Sequence, residues 1–95
     1  MIEFEWDNAK NTMNRSKHGI SFEEAATIWD GPIVTGQDEA HHSEVREISF
    51  GLIGGTTVAC VVHTERNGKI RIISARKATN GERREFDAYL KKARS

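Results

Sequence analysis

Two glycine-containing dipeptides, Gly54-Gly55 and Asn67-Gly68, cut the second half of the chain into three runs rich in β-branched residues, 45–53, 56–66 and 69–77. Both central positions of a type I′ turn need positive φ, which Gly and Asn supply at low steric cost, so each dipeptide reads as the turn of a hairpin. The three runs are therefore expected to form an antiparallel meander. With both turns tight, His63 lies opposite Ile72, and opposite residues share a face. That register places Arg46, His63 and Ile72 in one row, Ile48, Val61 and Ser74 in the next, and Phe50, Ala59 and Arg76 in a third, all on one face. The other face carries Cys60, Val62, Ile73 and Ala75, with Thr64 and Arg71 near its end.

The first half supplies elements to pack against such a sheet. Ile2, Phe4 and Trp6 alternate with Glu3 and Glu5, the period of a strand with one wet face. Asp7 can cap a polar helix running to about Lys17, which Gly19 ends. Ser21 and Glu24 have capping-box spacing, with Phe22, Ala25, Ala26 and Trp29 on one helical face and Gly31-Pro32 as a stop. Thr79 and Glu82 repeat that spacing before a C-terminal helix carrying Phe86, Tyr89, Leu90 and Ala93. Helices should cover one sheet face, with Trp6 and Trp29 in the core and Tyr89 read as core rather than catalytic. The fold class expected is α+β: an antiparallel sheet made of the N-terminal strand and the meander, two N-terminal helices and a C-terminal helix.

With 95 residues, 37% apolar and 29% charged, the chain suits one domain, residues 1–95, with a single core. It has no run approaching the roughly 18 apolar residues of a membrane span. The opening Met-Ile-Glu-Phe-Glu lacks the layout of a signal peptide, so no membrane association and a cytoplasmic location are expected. Cys60, the one cysteine, sits in an apolar run and reads as a buried thiol, excluding a disulfide framework or a cysteine-based zinc site. The net charge of zero conceals a polarity. Residues 1–47 hold ten acids and four bases, and residues 48–95 hold four acids and ten bases. The basic half points to an anionic partner, while a neutral total argues against strong long-range steering.

Several separated motifs stand in one order: Phe4-Glu5-Trp6-Asp7, Asn14, Lys17-His18-Gly19-Ile20-Ser21-Phe22-Glu23-Glu24-Ala25, Glu44-Val45-Arg46, and Arg71-Ile72-Ile73-Ser74-Ala75-Arg76 with Glu82-Arg83. Together they resemble the BrnT toxins over nearly the whole chain. The resemblance implies a RelE-like fold and the toxin half of a type II toxin-antitoxin pair, a ribonuclease that arrests translation. It implies an RNA substrate and a BrnA-like antitoxin, held in a hetero-oligomer, through which alone DNA would be contacted. Cleavage by an internal 2′-hydroxyl needs a base, a donor for the leaving 5′-oxygen and cations on the phosphoryl oxygens, so a metal-independent endoribonuclease without cofactors is expected.

His63, Arg66 and Arg76 are the residues expected at the catalytic centre, with Arg71, Arg83 and Lys17 binding RNA phosphate. An imidazole titrating near 6.5 suits proton transfer, though His63 also reads as a hydrogen-bonded structural group. Arg66 flanks the Asn-Gly turn as either a phosphate contact or a surface residue. The Arg76 guanidinium must find an anion, either the substrate or an internal acid such as Glu82. Arg83 stands in the first turn of the last helix, where the dipole disfavours a cation, and Arg71 opposite Thr64 could bind phosphate or pair with acids. Lys17-His18 also suits the C-terminal dipole of the first helix. His41-His42 is not read as a metal site, because adjacent histidines on extended chain point to opposite sides. Two other functions fit such a fold, a ParE-like toxin that inhibits gyrase without cleavage and a noncatalytic module holding a DNA-binding partner.

Overall fold

The computed structural model describes residues 1–37 and 46–94. Five strands, β1 (Phe4–Glu5), β2 (Val34–Gln37), β3 (Glu47–Ile53), β4 (Thr57–Arg66) and β5 (Lys69–Lys77), form one sheet in the order β1-β5-β4-β3-β2. Helix α1 (Asn8–His18) and the short α2 (Phe22–Ala26), continued by a 3-10 turn at Thr27–Asp30, lie between β1 and β2, and α3 (Asn80–Arg94) ends the chain. His41-His42 and Val45 lie outside the described residues.

The helix boundaries follow the local chemistry anticipated. Asp7 accepts from the Lys10 backbone N–H at 3.1 Å, and Gly19 closes α1 in the left-handed conformation at φ 73°. Ser21 and Glu24 exchange reciprocal 3.0 Å bonds at the start of α2. Thr79 and Glu82 do the same for α3 at 2.8 and 3.2 Å.

The sheet departs from the expected pattern in four ways. β1 runs parallel to β5, pairing Phe4 with Ile70 and Glu5 with Arg71, so the sheet is mixed. β2, which the sequence pattern did not announce, pairs antiparallel with β3. The first hairpin is also offset by one residue. Its ladder closes on Ile53 and Thr57 across Gly54, Gly55 and Thr56, with both glycines at positive φ, rather than across a two-residue turn. Glu47, not Arg46, therefore faces His63, and Ser49, not Ile48, faces Val61. A Cβ on Gly51 would stand 2.7 Å from that of Ile28, so only glycine lets β3 press on the 3-10 turn in this register.

The second hairpin keeps the expected pairing from its turn to His63 and Ile72, then shifts. A bulge between Val62 and His63 leaves Ile73 as the extra residue, and Arg76 comes opposite Cys60 instead of Ala59. Arg76 shares the Phe50 face, as expected, but His63 is on the other face. Ala75 likewise moves to the His63 side.

The core lies on that His63 side. Ile20, Phe22, Ala25 and Ile28 of the helical layer pack on Ala59, Val61, Ile72 and Ala75. Each fully buried Phe or Ile side chain there contributes roughly 1.5–3 kcal/mol. Trp6 and Trp29 are partly buried against this cluster, Trp6 edge-on to Phe22 and Trp29 tilted on Phe4. Asn14 is buried and ties α1 to β5: its carboxamide accepts from the Ala75 N–H at 3.1 Å and donates to the carbonyls of Ala75 and Ile20, each at 2.9 Å. Helix α3 lies on the opposite face, where Phe86 and Tyr89 share a groove with Val34 and Phe50. Phe86 is buried, whereas Tyr89 is 49% exposed and not a core residue.

Candidate nucleic-acid interface

The sheet face bearing α3 is only partly covered. Beyond the helix, toward the Asn67-Gly68 turn, alternation along β4 and β5 brings Thr64, Arg66 and Arg71 to the surface, and Arg46 joins them just ahead of β3. With Lys10 of α1, Glu65 and Ile73, they line a cleft of about 490 Å³. Four cations from α1, β4, β5 and the approach to β3 thus surround one concavity. Arg71 is oriented by Glu5, whose carboxylate lies 2.7 Å from its Nη1. Parallel β1 positions that acid directly beside Arg71. Two of the expected residues, Arg66 and Arg71, meet here. Lys17 stands in an adjoining groove of about 420 Å³ along α1, which shares Lys10 and Ile73 with the cleft.

The other expected residues lie elsewhere. His63 is buried on the helix-covered face, its Nε2 2.7 Å from Ser49 Oγ, which is in turn 2.8 Å from Thr35 Oγ1. The Trp29 ring meets the imidazole edge-on with centroids 5.0 Å apart. Burial pushes the His63 pKa below its ordinary value, and the negative charge of Glu47 opposes that shift. His63 is thus a satisfied interior group, separated by the sheet from Arg66 and Arg71.

Arg76 has found its anion within the chain. Its two terminal nitrogens donate to the two Glu82 oxygens at 2.8 and 3.0 Å, and Nη1 also reaches the Lys77 carbonyl at 3.2 Å. Hydrogen bonding to Arg76, supported by Thr79, brings the Glu82 carboxyl down to about 2. Arg83 is exposed on α3, away from the residues lining the cleft. Sequence reasoning missed Lys10 and Arg46. Lys10 was within reach, because it and Lys17 are seven residues apart and so share one side of α1.

Residues 6–82 match the family described as the ribonuclease toxin, BrnT, of type II toxin-antitoxin systems. The chain belongs to the BrnT family. The 1.1 Å crystal structure of the Brucella abortus ribonuclease toxin, BrnT, has a TM-score of 0.63 to this chain, covering 84% of it and 100% of the Brucella chain at 19% identity. At that identity the likeness speaks for the fold, and it supports the α+β architecture. No curated protein matches the sequence significantly. A BrnT toxin is a ribonuclease, which implies an RNA substrate and an antitoxin partner and disfavours the gyrase-inhibitor and binding-module readings. Among the described residues, no helix is long and apolar enough to cross a membrane.

Proposed function

We propose that this BrnT-family toxin holds the scissile phosphate of RNA in the cleft formed by Lys10, Arg46, Arg66 and Arg71. The observation that carries this reading is the convergence of four cations on one concavity open to solvent. Guanidinium groups suit that task, presenting paired N–H donors to phosphoryl oxygens and keeping their charge at any working pH. In the reaction the 2′-hydroxyl loses its proton to a base and forms a bond to phosphorus, while the bond to the 5′-oxygen breaks and that oxygen takes up a proton. The products are a 2′,3′-cyclic phosphate and a free 5′-hydroxyl. Charge grows on the phosphoryl oxygens during this step, where the cleft cations stabilise it without a metal ion. Lys17 extends the binding surface along α1. His63 and Arg76 act in this reading as structural groups, one completing the polar row through Ser49 and Thr35 and the other anchoring α3 through Glu82. The toxin works in the cytoplasm, arrests translation by cutting RNA, and is silenced in a hetero-oligomer by a BrnA-like antitoxin, through which alone DNA is contacted.

Arg66→Ala and Arg71→Ala test the site with labelled RNA, in the presence and absence of a chelator. Cleavage should fall roughly a hundredfold or more in each variant, as for loss of one transition-state donor, and should not respond to the chelator. The slope of log affinity against log salt should decrease by about 0.7 per lost contact to single-stranded RNA. A folded double variant that cleaves at the wild-type rate overturns the assignment.

A further inference from the structure

The groove along α1 has a different character from the cleft it joins. Met13, 69% exposed, and Ile73 give it apolar surface, with Ser74 beside them and Lys10, Lys17 and His18 around the rim. Lys10 and Lys17 stand two helical turns apart, about 10 Å, on either side of Met13. Lys10 and Ile73 border both concavities, so a ligand can pass from one into the other without leaving the surface. Anchorage of α1 to β5 by Asn14 fixes the groove's width.

We infer that this groove seats the nucleobase adjoining the phosphate in the cleft. The inference rests on the phosphate-site reading and extends it to the substrate's next chemical group. A strand of RNA alternates an anion with a flat, largely apolar ring, and the paired concavities alternate cations with an apolar platform. The thioether of Met13 is a soft, polarisable surface for a ring, and His18 adds a planar edge. Lys17 lies beyond the platform, positioned for the following phosphate. An acidic peptide would match the cations but would leave Met13 and Ile73 without a complementary group.

The test uses the full chain and a trinucleotide made uncleavable by 2′-O-methylation, compared with the same backbone lacking one base, by fluorescence anisotropy. Wild type should bind the base-bearing oligomer about three- to tenfold more tightly, within the range of sulfur–ring contacts. Met13→Ala should erase that preference while leaving the salt slope and the melting temperature unchanged, because the side chain is exposed. Met13→Glu should weaken both oligomers through charge repulsion. Equal binding of the two oligomers by wild type, or a preference that survives Met13→Ala, overturns the inference. Arg66→Ala and Arg71→Ala should weaken both oligomers alike. If they do not, the phosphate reading fails, whereas failure of the base site alone leaves their effect intact.

Discussion

Removing Glu82 separates the structural from the catalytic account of Arg76. Lowering the carboxyl from 4.5 to about 2 favours its ionised form by roughly 3 kcal/mol, at about 1.4 kcal/mol per pH unit. Water reaches 42% of the Arg76 side chain and 26% of that of Glu82, so screening reduces the pair's net worth to about 1–2 kcal/mol. Glu82→Gln should therefore lower the melting temperature by several degrees, since 1 kcal/mol moves a domain of this size by roughly 4–8 °C. Arg76→Ala should cost a similar amount, and the double variant less than the sum of the two, because the pair acts as a unit. The pH dependence has a definite sign. A carboxyl depressed by folding contributes stability above its unfolded value near 4.5 and loses it as pH falls toward 2. The gap between wild type and Glu82→Gln should thus close over that window in thermal or urea unfolding. Below the melting temperature, Arg76→Ala should still cleave RNA to within a few-fold per folded molecule. An Arg76→Ala protein with unchanged stability and no cleavage refutes this account and puts the guanidinium on the substrate.

Two further outcomes concern the interior. The lowered pKa of His63 means that its contribution to stability is present above about 6.5 and lost as pH falls below that value, because only the unfolded chain then takes up the proton readily. Imidazole NMR shifts should show a ring more than half neutral at pH 6.5, and a titration midpoint above 6.5 would contradict the burial argument. Gly51→Ala should destabilise by about 1–3 kcal/mol, since the new methyl meets Ile28 and Ile33 at 2.7 and 3.1 Å. An unchanged unfolding midpoint would mean that the 3-10 turn yields freely.

The helices and the meander were legible because caps and turns are local. Asp7, Ser21, Thr79 and the residues that answer them within a few positions carry their own hydrogen-bond partners. Faces were less legible, since the side of a strand that a residue occupies depends on every residue counted from the turn. One extra residue in the first turn moved Ser49 in place of Ile48 opposite Val61, and the bulge at Ile73 separated His63 from Arg76. β2 escaped notice because Val34–Gln37 is short and has little apolar alternation, so its pairing with β3 is tertiary. Arg66 and Arg71 were identified as cations, but their grouping with Lys10 and Arg46 required the sheet's geometry.

Asn14 also settles what the flank of the sheet can do. β1 accompanies β5 through only Phe4 and Glu5, so further along β5 the outward amide and carbonyl of Ala75 would offer pairing sites to any extended chain. The Asn14 carboxamide meets both, one donor and one acceptor, and thereby stands in for a strand one residue long. An intruding backbone must first displace it and lever α1 away. Open edges invite uncontrolled growth by strand addition, and here a single amide closes that stretch while leaving the neighbouring cation-lined surface free. With the Ala75 amide and carbonyl already paired, backbone pairing at this part of β5 is disfavoured, and the cleft proposed for RNA lies beside an edge that is not open to strand addition there.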